Sequence, residues 1–285
     1  MTSGSASTRV SVVVPAYNNA TTIERTIESI LAQTHADLEV IIADHSSKDD
    51  TRQILQRYAS DPRVTLLQTE ASGGALRNWN RVSQATTSPY LKLVCGDDLI
   101  EPTLIAEQVA ALQANPGATL SACSRDVVDV HDRPVIRGRG LGGFRGLTKG
   151  RDAIRRIVVK GTNIFGEPAC VLVRTATLER VGWWDSRFPY LIDEATYVRV
   201  LLEGEFVAVP KSLASFRMSD SQWSVALVNE QSAQVTAFHR WLHEAHPEIV
   251  SRFALWRGNL AARINARLRR GAYIVLRARM RESEG

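Results

Sequence analysis

The first hundred residues alternate between short apolar runs and amphipathic segments. Val10 to Val14 is a β-branched run that stops at Pro15, the pattern of a strand covered on both faces. Ile23, Ile27, Ile30 and Leu31 then fall on one helical face, with Thr21 and Glu24 spaced as a capping box. Leu38 to Ala43 predicts a second strand ending at Asp44, and Ile54, Leu55 and Tyr58 mark a second helix. Val64 to Leu67 reads as a third strand. Gly73 and Gly74 break the chain before a helix carrying Trp79 and Val82. Tyr90 to Val94 predicts a fourth strand, followed by Gly96-Asp97-Asp98 and a helix with Leu104, Ile105, Val109 and Leu112. Strands separated by helices imply βαβ units and a mostly parallel sheet.

The second half is less regular. Arg137 to Gly150, rich in glycine and arginine, predicts a loop. Ala169 to Val173 reads as a strand, and Gly182 to Asp185 as a turn bearing Trp183 and Trp184. Tyr197 to Leu202 predicts a helix, Phe206 to Val209 a short strand, and the chain from about 228 to its end is helical in pattern. No internal repeat is present.

In parallel α/β sheets ligands bind outside the carboxyl ends of the strands. Topology places Pro15-Ala16-Tyr17-Asn18, Asp44-His45 and Asp97-Asp98 there. Paired acids at a strand end suit Mg²⁺ or Mn²⁺ together with substrate phosphates; a solvated turn or helix cap is the plainer reading of the same dipeptide. Asp44 is placed to accept hydrogen bonds from a ribose or base, and Tyr17 to stack on the base. No phosphate-binding glycine loop follows the first strand, which argues against a dinucleotide fold and a P-loop. Gly138, Gly140 and Gly143 match G-x-G-x-x-G but lie in the Arg-rich loop rather than at the first βα turn. His239, His243 and His246 share a helical face, which reads as a surface helix because Pro247 ends it and no distant fourth ligand is evident.

Composition excludes disordered, collagen-like and coiled-coil proteins: 44% hydrophobic, 23% charged and 7% aromatic residues are near the globular norm. The 285 residues suffice for a large core. Charge matters once located. Net charge is +5, yet residues 251–285 hold nine arginines against Glu282 and Glu284, so the first 250 residues carry 26 basic and 28 acidic groups. Basicity confined to the C-terminal segment gives little support for nucleic-acid binding. Cys95, Cys123 and Cys170 read as reduced thiols. No stretch reaches the ~18 apolar residues that span a bilayer, and Met1 to Thr8 lacks the apolar core of a signal peptide. A cytoplasmic protein is the expectation, with peripheral attachment to the inner face of the plasma membrane if the arginine-rich segment binds lipid.

In order along the chain, six segments resemble the family-2 glycosyltransferases of GT-A fold. They are Val10 to Asn18, Glu39 to Thr51, Gly73 to Asn80, Val94 to Pro102, Gly166-Glu167-Pro168, and Val181 to Asp185. The resemblance spans about residues 9–225. It implies an α/β, Rossmann-like sheet flanked by helices, with residues 1–8 a disordered lead-in. Residues 9–102 would form the nucleotide-sugar half, 103–225 the acceptor half, and 226–285 a helical, arginine-rich extension. It further implies an inverting transferase that moves a sugar from a UDP-, dTDP- or GDP-sugar to a hydroxyl of a glycan or lipid-linked acceptor.

By the same resemblance, Pro15, Ala16, Tyr17, Asn18 and Asp44 would hold the nucleoside. Arg77 would lie near the base or diphosphate. Asp97 and Asp98 would hold a divalent cation, Mn²⁺ or Mg²⁺, with the diphosphate. Asp193 fits the spacing of the general base, ahead of Tyr197 and Arg199, with Glu194 a rival. Glu167, Trp183 and Trp184 would face the acceptor, although a tryptophan pair in the core fits the sequence equally. Several positions depart from the family pattern. His45 replaces a second acid, Cys95 replaces the first acid of the metal turn, and Phe216-Arg217-Met218-Ser219 lacks a metal-binding histidine. These departures keep open a catalytically silent nucleotide-sugar-binding or scaffold protein of the same fold. The C-terminal segment, with Phe253, Leu255, Trp256, Leu260, Ile264 and Leu268 among arginines, suits either an anionic membrane or a helix packed on the catalytic domain. A homodimer is a further expectation.

Overall fold

Val10, Val12, Val13 and Val14 have no exposed surface. They form β1 (Val10–Ala16), which pairs in parallel with β2 (Leu38–Asp44) on one side and β4 (Tyr90–Leu93) on the other. The structure is a computed structural model and describes residues 7–218 and 231–282, with side chains of the last helix described to residue 268. The expectations for the first six residues, for Ser219 and for a helix starting near 228 lie outside the described residues.

β3 (Val64–Gln68) extends the parallel group beyond β2. The helices α1 (Ile23–Leu31), α2 (Thr51–Gln56), α3 (Gly74–Gln84) and, after the two-residue strand β5 (Leu99–Ile100), α4 (Leu104–Ala114) connect these strands as the pattern predicts. The capping box is a correction. α1 begins at Ile23 with Thr22 at its cap and no side-chain cap hydrogen bond. The cap thus falls one residue later than the Thr21 of the pattern, and the Thr22 hydroxyl donates to the Gly96 carbonyl at 2.8 Å, a tertiary contact rather than a helix cap.

Past α4 the sheet becomes mixed. β6 (Ala118–Val128) pairs in parallel with the long β10 (Glu205–Arg217). β9 (Val171–Arg174) runs antiparallel between β4 and β6 and so joins the two halves into one sheet, ordered β3-β2-β1-β4-β9-β6-β10-β5. The segment expected to be a loop contains two strands. β7 (Pro134–Arg139) pairs with β6, and β8 (Gly146–Lys149) pairs with β10. The glycines here hide the edge-strand character, since Gly138, Gly140, Gly142, Gly143 and Gly146 all adopt positive φ.

α5 (Gly150–Lys160), α6 (Thr175–Arg180) and α7 (Ile192–Leu202) complete the helices up to β10, followed by α8 (Gln231–Ala245) and α9 (Arg252–Glu282). α9 lies against α5 at van der Waals distance: a Cβ at Gly258 would come within 2.3 Å of the Val158 carbonyl oxygen. The histidine face is also a correction. His239 has no exposed surface, and its Nδ1 pairs with Oδ1 of Asn259 on α9 at 3.0 Å. His243 Nδ1 lies 2.7 Å from the Val250 carbonyl. His239 joins the two helices, and His243 ties α8 to the turn before α9. All three cysteines are free thiols.

Candidate active site

The ends of β1, β2 and β4 open onto a cavity of about 640 Å³ lined by residues that include Pro15, Tyr17, Asn18, His45, Trp79 and Asp97. Its floor is held by one buried amide. Asn78 of α3 donates from Nδ2 to the carbonyls of Ala16 (3.3 Å) and Ala43 (3.0 Å), and its Oδ1 accepts from the Thr69 hydroxyl at 2.6 Å. Three strand ends are thereby fixed to one helix. Asn18, at φ 52°, turns the chain; its backbone N–H donates to Ser47 and its Oδ1 accepts from the Lys48 N–H. Tyr17 is 52% exposed at the cavity mouth, its ring 5.9 Å from that of His45. Such a ring is free to stack on a planar ligand. Asp44 is 4% exposed. Its Oδ1 accepts from the Ser47 N–H, while Oδ2 has no hydrogen-bond partner among the described residues. A buried acceptor left unsatisfied costs stability, and a hydrogen-bond donor from a ligand would relieve that cost. Ala16 itself is buried at the strand end.

The turn after β4 is built to hold acids. Each of three successive carbonyls has its own donor: Thr22 reaches Gly96, Arg217 reaches Asp97 at 2.8 Å, and Thr26 reaches Asp98 at 2.9 Å. Gly96 is required here because a Cβ would approach Asn19 Oδ1 to 2.6 Å. Arg217 is 2% exposed and also bonds Asp132 through Nε and Nη2; Asp132 pairs with Arg25 as well. The sequence pattern identified residue 217 only by what it lacks, a histidine, whereas its guanidinium secures the turn.

Asp97 faces the cavity and Asp98 lies behind it, 1% exposed. Burial, then the Asp97 and Glu167 carboxylates, push the Asp98 carboxyl well above the usual range, and its Oδ1 has no hydrogen-bond partner among the described residues. Donor atoms of Cys95, Asp97 and Asp98 lie within 4.8 Å of one another. A crowded acid pair with an orphaned buried oxygen fits a divalent cation, which would satisfy that oxygen and relieve the repulsion.

Asp193 opens α7 beside this cluster. Asn163 donates from Nδ2 to Asp193 Oδ2 at 2.8 Å, and the Glu194 N–H donates to Oδ1 at 2.7 Å. Burial nevertheless pushes its carboxyl up to about 7, with the Glu167 carboxylate adding to the rise. The same field reaches Cys95, whose thiol is raised by desolvation, then by Asp98, Asp97, Asp193 and Glu167. The two rivals at the start of α7 thus differ: Asp193 is partly exposed, and Glu194 is buried at 1% exposure. Glu167 is held by buried Arg125 of β6, whose Nη2 donates to Oε1 at 2.9 Å and whose Nε pairs with Oε2. A lone arginine in a strand gives no periodic signal, so neither Arg125 nor Asn163 stands out in the sequence, and Asn78 enters only as part of the Gly73 to Asn80 segment.

Two expectations change with the geometry. Trp184 is 4% exposed; its indole N–H donates to Ser83 at 2.8 Å and its ring stands edge-on to Trp79 at 5.1 Å and to Tyr197 at 6.0 Å. A ring so enclosed has no face for a sugar. It instead backs Trp79, which lines the cavity. Trp183 is half-buried at φ 63° and packs against the core. Arg77 is not among the lining residues: it donates to Ser72 at 2.6 Å and Glu70 at 2.8 Å. Lys48, in contrast, lines the cavity and was not singled out by the sequence.

The model of Glycosyl transferase family 2 matches residues 11–182. Chondroitin synthase from Escherichia coli is 39% identical over 97 residues, 34% of this chain and 14% of that protein. The chain spans at most 66% of the length of the first curated relatives it matches. Among solved structures, S. aureus TarS 1–349 in complex with UDP-GlcNAc superimposes with a TM-score of 0.67 at 17% identity, over 83% of this chain and 66% of that one. Mannosyltransferase PcManGT from Pyrobaculum calidifontis, in complex with GDP-Man and Mn²⁺, gives 0.59 at 19% identity over 94% and 80%. These likenesses are in fold, helices on a central sheet; this chain also has a helical extension at its C-terminal end.

Proposed function

The chain belongs to glycosyl transferase family 2, and we propose that it transfers a sugar from a nucleotide-sugar donor to a hydroxyl of a glycan or glycolipid acceptor, with inversion. The observation that carries this reading is the convergence of Asp97, Asp98 and Asp193 at the carboxyl end of the sheet, next to a cavity lined by Tyr17, with Asp44 buried at the end of β2 beside its lining residue His45.

Tyr17 stacks on the base, and the free Oδ2 of Asp44 accepts from the nucleoside. Lys48 supplies positive charge where the lining faces a diphosphate. Asp97 and Asp98 would hold Mn²⁺ or Mg²⁺, which when bound neutralises charge on a diphosphate leaving group. Asp193 takes the proton of the acceptor hydroxyl. The acceptor oxygen attacks the anomeric carbon from the face opposite the diphosphate, and the bond between sugar and phosphate breaks. With its carboxyl near 7, Asp193 is close to the optimum for a base at neutral pH. Glu167, anchored by Arg125, borders this acceptor side. Trp183 is the turn residue left with partial exposure toward an acceptor.

UDP, UDP-GlcNAc and GDP-Man complexes of structural neighbours support a nucleotide-sugar donor. Cys95, in place of an acid, favours a second reading, a protein that binds the donor without turning it over. Calorimetry with UDP-, dTDP- and GDP-sugars, with and without Mn²⁺, followed by nucleoside diphosphate release with an acceptor panel, separates the two. Metal-enhanced donor binding with release supports transfer; binding without release supports the silent protein. An absence of any donor binding contradicts both.

A further inference from the structure

The exposed face of α9 has an unusual composition. Phe253 is 68% exposed, Trp256 63%, Leu260 47%, Ile264 46% and Leu268 66%. At ~3.6 residues per turn these positions share one side of the helix, and Arg252, Arg257, Arg263 and Arg267, all exposed, interleave with them on that side. The opposite side is the seat on the protein. Ala254, Ala262 and Ala266 are buried there, Gly258 meets α5, and Asn265 Nδ2 donates to the Lys160 carbonyl at 2.8 Å. The helix is thus already docked through its small residues, and its large apolar residues point away from the domain.

We propose that residues 252–268 of α9 form a docking surface for an anionic lipid membrane, with the helix lying in the plane of the headgroups. Folding has left five large apolar side chains in water along about 25 Å of helix, and contiguous apolar exposure of this kind marks an interaction site. The charge identifies the partner. The face carries four arginines and no acid, and the first acidic residue after Glu248 is Glu282. A second copy laid face to face would oppose arginine with arginine. An anionic lipid surface supplies the complementary charge, and long arginine stems let the guanidinium groups reach phosphates while the neighbouring rings and aliphatic chains enter the acyl boundary. Trp256 and Phe253, with ring centroids 6.0 Å apart, form the aromatic part of this surface. Among the described residues no helix is long and apolar enough to cross a membrane. The surface is independent of the chemistry in the cavity, and the two can fail separately.

The test is co-sedimentation of the full chain with vesicles of phosphatidylcholine alone and of phosphatidylcholine mixed with phosphatidylglycerol. The wild-type protein is expected to pellet with the mixed vesicles, weakly with the neutral ones, and less as salt rises. Each basic side chain near such a surface contributes roughly a factor of five, so Arg257→Gln, Arg263→Gln and Arg267→Gln together should lower partitioning by roughly a hundredfold. Trp256→Ser with Leu260→Ser should lower it by at least tenfold while circular dichroism stays unchanged. No partitioning into either vesicle, or mixed-vesicle binding unaffected by both salt and the arginine substitutions, overturns the proposal. So does self-association in sedimentation velocity that Trp256→Ser abolishes without any vesicle binding, which would make the face a contact between copies. If a variant misfolds, the salt dependence of the wild-type protein still decides.

Discussion

Asn163 donates a 2.8 Å hydrogen bond to Asp193 from the segment that follows α5. This bond and the Glu194 N–H oppose the effect of burial, and the carboxyl settles at about 7. A base works only when ionised, so kcat/KM should rise as pH increases through about 7 and level off above it. Asn163→Ala removes a donor to the charged form, which moves that rise to higher pH with little change in donor affinity. A pH–rate profile of the two proteins checks the direction; a shift to lower pH would contradict it.

The Arg217 guanidinium joins the Asp97 carbonyl to Asp132 while almost fully buried. Removing one partner of a buried ion pair typically costs about 3–5 kcal/mol. Arg217→Met is expected to lower stability in urea by that order and to weaken metal-dependent donor binding, because the Asp97-Asp98 turn loses its anchor. Arg217→Lys should recover part of the stability, since it restores charge without the forked geometry.

These residues show what the sequence makes legible. The strands β1, β2 and β4 are β-branched or apolar runs, and the acids at their ends follow from where ligands bind in such sheets. β6 and β10 are harder to read: Ala118 to Val128 interleaves Thr, Ser, Cys, Arg and Asp with its apolar residues, and only pairing with β9 and β10 makes it a buried strand. Arg125, Arg217, Asn78 and Asn163 act through partners 30 or more residues away as well as near ones, and no spacing rule finds such pairs. The tryptophan turn was ambiguous for the same reason: Ser83, which holds Trp184, lies 101 residues earlier.

Trp184→Phe keeps an aromatic ring but strands the buried Ser83 hydroxyl. An unsatisfied buried group costs about 1–3 kcal/mol. The expected result is lower thermal stability by that order with acceptor KM nearly unchanged. A large rise in acceptor KM at unchanged stability would instead mean that Trp184 contacts the acceptor.

His239 is buried between α8 and α9, and desolvation pulls its pKa down to about 4. In the unfolded chain it titrates near ~6.5. The folded state therefore binds the proton more weakly, so its contribution is fully present above about 6.5 and is lost as pH falls from there toward 4. Across that window the loss is on the order of 3 kcal/mol at most. Urea unfolding at a series of pH values should show it, and His239→Gln should flatten the curve over the same range.

The central claim is that Asp193 is the base of a sugar transfer whose donor is held by other residues. Its most direct test is single-turnover release of nucleoside diphosphate, with acceptor present, by the wild-type protein and Asp193→Asn, alongside donor affinity by calorimetry. The expected result is donor affinity within about a factor of two and a chemical step slowed by roughly 10²–10⁴-fold. Unchanged turnover in Asp193→Asn, or an equal loss found only in Glu194→Gln, would contradict the account.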